Sequence, residues 1–285
     1  MTKKMVGLDS CIRKVSRFFL TGTIILLFFI LTACETPKSR TQKRKKSVES
    51  GLLKTVVFKG QKPERMMLKD RMNYYRVPGV SMAAIYQYQL DWAEAYGVKE
   101  TGRSEPVTNH SLFQAASLSQ PVTALAALRF VDQGRIALDS NVNEFLSYWK
   151  LPENRVAGEN KVTLRTLLSH CAGLIPYEFR GYAQSEPLPT LRQILDGQKP
   201  ANSPAARVYA VPGTQYSYSE LGYVVLQQLL IDLEKKPFPE IMKESVQQPL
   251  GMERSTFEYS LPAGVKEMAV TGHLHQGEPL EGKWF

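Results

Sequence analysis

Residues 112–124 read Leu112-Phe113-Gln114-Ala115-Ala116-Ser117-Leu118-Ser119-Gln120-Pro121-Val122-Thr123-Ala124. The stretch opens a helix predicted from about Ser117 to Gln133. Pro121 falls in its first turn, where a missing N–H costs nothing, and Gly134 stands where a left-handed residue closes a helix. A serine is thereby placed at a helix start, with Gln120 three residues on and on the same face. One reading of Ser117 is a side chain that caps the helix.

Outward from this stretch, the spacing of apolar residues marks further elements. Residues 64–76 carry Met66, Met67, Met72 and Tyr75 among charges, an amphipathic helix ended by Val77-Pro78-Gly79. Val80–Tyr86 and Leu90–Tyr96 read as two strands of a hairpin. Thr163 is a plausible cap for a helix beginning at Leu164. Residues 176–215 are rich in Pro, Gly and Ser and read as long loops around one helix near 189–197. Tyr223–Leu233 is apolar with helical spacing, and residues 237–248 read as another helix.

The formal charge of +9 is confined to one end. Residues 1–46 hold eleven of the 36 basic residues and two acids, so residues 47–285 are neutral overall. A neutral body gives no footprint for nucleic acid. The basic start at Lys3, Lys4, Arg13, Lys14 and Arg17 precedes an apolar run from Phe18 to Ala33, too short to span a bilayer and shaped like a secretory signal. It ends Leu31-Thr32-Ala33-Cys34, which resembles the lipobox of bacterial lipoproteins. That resemblance implies lipidation of Cys34, a membrane anchor and, with Glu35 following, an outer-membrane position facing the periplasm. Residues 35–50, including Lys43-Arg44-Lys45-Lys46, lack apolar periodicity and read as a disordered tether. Cys171 is left without a partner for a disulfide and reads as a small core residue.

Several kinds of site are absent: a Gly-x-Ser-x-Gly elbow, a Gly-rich phosphate loop and a His-Glu-x-x-His helix. His273 and His275 alternate as on one strand face but lack an evident third metal ligand. Ser147-Tyr148-Trp149-Lys150 spells Ser-x-x-Lys in an unsuitable setting and reads as coincidence.

Six segments in order resemble the serine β-lactamase and penicillin-binding-protein family, over about residues 62–285. They are Val77–Ser81, Leu112–Ala124, Gly134–Val142, Leu167-Leu168-Ser169-His170-Cys171-Ala172-Gly173-Leu174, Pro212–Tyr223 and Pro249-Leu250-Gly251-Met252. The resemblance implies an α+β, β-lactamase/transpeptidase-like fold: a mostly helical region plus an N-terminal strand hairpin, with C-terminal strands of the central sheet missing. It divides the chain into a signal (1–33), a lipidated basic tether (34–60) and a partial β-lactamase-related domain (61–285). It implies acyl-serine chemistry on a β-lactam, D-Ala peptide or ester, with neither cofactor nor metal.

Carried over position by position, the resemblance makes Ser117 the nucleophile and Tyr218 the assisting tyrosine. Two positions depart from the pattern. Gln120 stands where a lysine takes the serine proton, and a carboxamide cannot do so at neutral pH. Glu220 stands in place of an asparagine, where its charge opposes a tyrosinate. Glu220 serves as base only if it reaches the serine. The third motif of the family does not appear before Phe285. The expectation is an impaired or inactive hydrolase, with a non-catalytic envelope ligand-binding protein or a truncated pseudoenzyme as the alternatives.

Overall fold

A computed structural model describes residues 36–282 except 154, 184 and 262. The expected signal sequence and Cys34 lie outside the described residues. Among those residues, no helix is long and apolar enough to cross a membrane. Two compact units are present, residues 36–77 with 82–94, and residues 78–81 with 95–282.

The first unit begins with helix α1, Pro37–Glu49. Thr36 caps it by accepting from the Ser39 N–H at 3.2 Å, and Pro37 occupies a position that needs no donor. The disordered tether expected over 35–50 is therefore corrected to a helix. Its fixing contacts are ionic, not apolar. Arg44 grips both oxygens of Asp91 at 2.6 and 2.7 Å, Thr41 donates to the same carboxylate at 2.7 Å, and Lys45 pairs with Glu94 at 2.6 Å. The Arg44 guanidinium and the Thr41 hydroxyl hold the Asp91 carboxyl below its usual range. Periodicity could not reveal this helix because it buries no residue.

Strands β1 (Leu52–Leu53) and β2 (Arg65–Met66) pair antiparallel, with Leu52 opposite Met66. That pairing shortens the helix expected over 64–76 to α2, Leu68–Tyr75. It ends on Arg76 in the left-handed region, φ 53°, just before Val77-Pro78, where proline disfavours further helix. Strands β3 (Gly79–Tyr86) and β4 (Gln89–Gly97) form the expected hairpin. Its two turn residues, Gln87 and Tyr88, both have positive φ, the turn geometry that matches strand twist.

In the second unit, residues 97–112 and 268–271 are laced by backbone bonds. Val107 N–H donates to Gly97 O, Thr271 N–H to Lys99 O, and Leu112 exchanges bonds with Met268 and Val270. A 3-10 turn, Ala116–Leu118, leads into helix α3, Ser119–Asp132, closed by Gly134 with φ 68° as expected. Helices α4 (Val142–Phe145), α5 (Leu164–Leu168) and α6 (Leu191–Asp196) follow. Reciprocal capping boxes, Thr163 with Thr166 and Thr190 with Gln193, start the last two.

Helix α7, Glu220–Glu234, is the hub. Leu221, Val225, Leu226, Leu229 and Leu230 are buried on it at helical spacing, and α3, α4, α5, α6 and α8 (Phe238–Met242) all pack against it. Each such side chain contributes about 1.5–3 kcal/mol relative to exposure. Helix α8 runs into a π-helical turn, Lys243–Gln247, and a short helix α9 spans Ala263–Lys266. The mixture is α+β, with most of the core helical.

Two smaller expectations are corrected. His273 bridges to Pro279 and accepts the Thr101 N–H at 3.0 Å, while His275 lies in the turn between, so they share no strand face. Cys171 is only half-buried, its sulfur directed at Ser169 O at 3.4 Å.

Candidate active site

Three chain segments meet: the 3-10 turn before α3, the C-terminus of α5 and the N-terminus of α7. Each has a local reason for its shape. Helix α5 ends in a pair of bonds, His170 N–H to Leu167 O at 3.3 Å and Cys171 N–H to Thr166 O at 2.8 Å. That pattern requires a left-handed residue, a slot glycine usually fills. His170 fills it here, at φ 54°. The cost for a residue with a Cβ is roughly 1–2 kcal/mol, so the side chain must be useful in place.

The imidazole is held on both nitrogens. Nδ1 accepts the Ser219 N–H at 3.3 Å, and Nε2 lies 3.1 Å from Gln120 Oε1. Its ring lies 4.5 Å from that of Tyr218 and 5.3 Å from that of Tyr223. Burial pushes the His170 pKa below the ordinary histidine value, and the charge of Glu220 offsets only part of this. The neutral ring with its proton on Nε2 satisfies both contacts.

Gln120 passes the chain onward. Its Nε2 donates to the Tyr218 hydroxyl at 2.8 Å. That hydroxyl stands 3.0 Å from Ser117 Oγ and 3.1 Å from Glu220 Oε1, with one proton to give to either. Ser117 Oγ donates to Glu220 Oε1 at 2.8 Å. The second carboxylate oxygen accepts the Phe179 N–H at 2.5 Å, and Glu220 N–H donates to Tyr177 O at 2.9 Å. Donors thus run one way, from His170 through Gln120, Tyr218 and Ser117, and end on a carboxylate. Glu220 is the first residue of α7, where the helix dipole favours negative charge.

Ser117 is exposed and follows a strained residue. Ala116 has φ 45°, a conformation that side chains with a Cβ rarely adopt. Such strain gathers where surrounding structure fixes a reactive group. The capping reading of Ser117 does not hold. The cap position of α3 is Leu118, which makes no side-chain bond, and the Ser117 hydroxyl is engaged by Glu220 and Tyr218.

The four positions singled out in the sequence, Ser117, Gln120, Tyr218 and Glu220, are brought into one network. Two members were missed. His170 was visible within a signature, but its role follows from sitting in a glycine slot, which needs the helix end to be known. The Phe179 N–H is a backbone group and has no sequence signal. Ser147 and Lys150 engage different partners, Lys235 at 2.9 Å and Asn143 O respectively, so they form no dyad. Among the described residues, no cluster of three or more His, Cys, Asp or Glu is placed to hold a metal.

Known proteins are similar to this chain in sequence or in fold. The D-alanyl-D-alanine-carboxypeptidase/endopeptidase AmpH of Escherichia coli K12 is 30% identical over 168 residues, 57% of this chain and 41% of AmpH. Esterase EstB of Burkholderia gladioli is 28% identical over 201 residues, 67% of this chain and 49% of EstB. The chain spans less than half the length of these two relatives. Among solved structures, a β-lactamase/D-alanine carboxypeptidase from Yersinia pestis complexed with citrate aligns over 70% of this chain and 55% of its own, with a TM-score of 0.58. At 22% identity that likeness is one of fold. EstCE1, a hydrolase with promiscuous acyltransferase activity, aligns over 74% of this chain and 56% of its own, with a TM-score of 0.59 and 26% identity. The family described as Beta-lactamase matches residues 65–279, a span that includes the hub helix and all five side chains of the network, and the chain therefore belongs to that family.

Proposed function

We propose that the chain carries a serine acyl-transfer site in which Glu220 takes the serine proton. The observation that carries this is the 2.8 Å bond from Ser117 Oγ to Glu220 Oε1. It meets the condition set by the sequence, that Glu220 must reach the serine. Ser117 Oγ attacks the substrate carbonyl carbon as its proton passes to Glu220. The tetrahedral adduct collapses, the bond to the leaving group breaks, and Glu220 returns the proton to the departing oxygen or nitrogen. Water then attacks the Ser117 ester and gives a proton to Glu220; the bond from Ser117 Oγ to the acyl carbon breaks, Glu220 returns that proton to Ser117 Oγ, and the acid leaves. Tyr218 holds the serine oxygen, and Gln120 holds Tyr218.

Such a site is slow. A carboxylate is poorly matched to an alcohol proton, and a mismatched base costs roughly 10²–10⁴-fold. The candidate substrates are acyl donors, namely β-lactams, D-Ala peptides and esters, the last two being classes that the names of AmpH and EstB specify. The basic and apolar N-terminus ending in Cys34 supports a lipoprotein of the bacterial envelope, anchored in the outer membrane and facing the periplasm. The alternative is a non-catalytic ligand-binding protein of the envelope, a reading favoured by the neutral Gln120 between His170 and Tyr218.

The test is intact-mass labelling of the full chain with a fluorescent penicillin and a fluorophosphonate. An adduct is expected, absent in Ser117→Ala and formed at least about tenfold more slowly in Glu220→Gln. A folded chain that forms no adduct ends the acyl-transfer reading and leaves ligand binding.

A further inference from the structure

We infer that the Ser117 site selects uncharged acyl donors over carboxylate-bearing ones, and that Glu220 is the residue that decides it. This rests on the acyl-transfer reading above and narrows its candidate substrates: esters without a carboxylate are favoured over penicillins and D-Ala peptides, which carry one.

The network carries one formal charge. Glu220 Oε1 accepts from Ser117 and lies 3.1 Å from the Tyr218 hydroxyl, and Oε2 accepts the Phe179 N–H; all three groups are neutral. Gln120 is neutral by chemistry, and burial keeps His170 neutral. The nearest charged residues along the loop are Glu178 and Arg180, which flank Phe179, are both exposed and are opposite in sign. Water screens both. Among the described residues Glu220 makes no ion pair, so the charge next to the nucleophile is negative.

The charge does not leave during reaction. When Glu220 takes the serine proton, negative charge appears on the substrate oxygen instead. A carboxylate on the acyl donor or leaving group is opposed before the transfer and after it. At separations of about 4–6 Å near a protein surface, the repulsion amounts to about a tenfold preference, more at low salt. Two exposed side chains nearby present apolar surface. Leu118, 73% exposed, follows the nucleophile, and Tyr216, 68% exposed, has its ring 6.0 Å from that of His170. They offer contact to an apolar group and no charge to an anion.

The experiment compares two esters of equal size, 3-carbamoylphenyl butyrate and 3-carboxyphenyl butyrate, on the full chain. Acylation of Ser117 is followed by mass and by phenol release, each rate divided by that of imidazole, a neutral nucleophile. The expected result is about tenfold faster acylation by the amide-bearing ester at low salt, with the ratio falling toward one at about 1 M salt. In Glu220→Gln the ratio is also near one, whatever the absolute rates. Should that variant be too slow to read, the salt dependence of the wild-type ratio decides. Equal rates that ignore salt overturn the charge selection while leaving acyl transfer intact. Failure of both esters to acylate Ser117 overturns the two readings together.

Discussion

Helices α1 and α7 are of similar length and are held by opposite physics. Helix α7 buries a stripe of leucines and valines and would lose its partners only if the core opened. Helix α1 buries nothing and is fixed by Arg44, Thr41 and Lys45 on the carboxylates of Asp91 and Glu94. Apolar burial is not screened by salt and is cooperative across a core, whereas these part-buried ion pairs are partly screened and local. The contrast explains which parts of the chain are robust to conditions, and the largest effects follow from attacking the hub.

Leu226 is 0% exposed at the centre of α7. Leu226→Ala removes buried methyl groups and leaves a cavity, a loss of about 2–5 kcal/mol. A urea titration followed by far-ultraviolet circular dichroism should show the midpoint of the second unit fall accordingly, by the same amount at low and high salt. A small loss, or one that salt changes, would mean that α7 is not the hub.

The same contrast sets what the sequence could show. Tyr223–Leu233, the hairpin, the helix after Ser117 and the Gly134 stop were all readable because apolar spacing and backbone-specific residues act locally. Helix α1 was not, because its partners are 47 residues away and are charges, which a local pattern does not register. At the site, Ser117, Gln120, Tyr218 and Glu220 were readable as motif positions, but not their connections. Whether Glu220 reaches Ser117 depends on how the turn at Ala116 and the start of α7 face each other, across 103 residues. His170 was hidden for a related reason: a histidine at a helix end becomes informative only once the left-handed slot is seen.

His170 offers a smaller effect, within the second unit. Its folded pKa is lowered by burial, so the unfolded chain binds the proton first as pH falls. Stability contributed by the neutral ring is therefore complete above the unfolded value of about 6.5 and is lost as pH drops below it toward the folded value. Protonation also removes the acceptor for the Ser219 N–H. The urea midpoint of the second unit should fall as pH drops below about 6.5, and His170→Gln should flatten this dependence. An unchanged slope in the variant would place the titrating group elsewhere.

The smallest and most local effect belongs to α1. Asp91→Asn keeps the shape but removes the charge and turns one acceptor oxygen into an NH2 donor, so one Arg44 bond is lost and the other loses its ionic component, while the Thr41 bond to the remaining oxygen survives. Amide exchange over residues 37–49 should accelerate, and protection over 220–234 should stay as it was. In the unmodified chain, raising salt should accelerate exchange over 37–49 in the same direction, because screening and substitution remove the same attraction. Once Asp91 is Asn, salt should have less left to remove. A helix whose protection ignores both changes would be held by its Thr36 cap and backbone bonds alone, and the ionic face would then follow from the helix and not fix it.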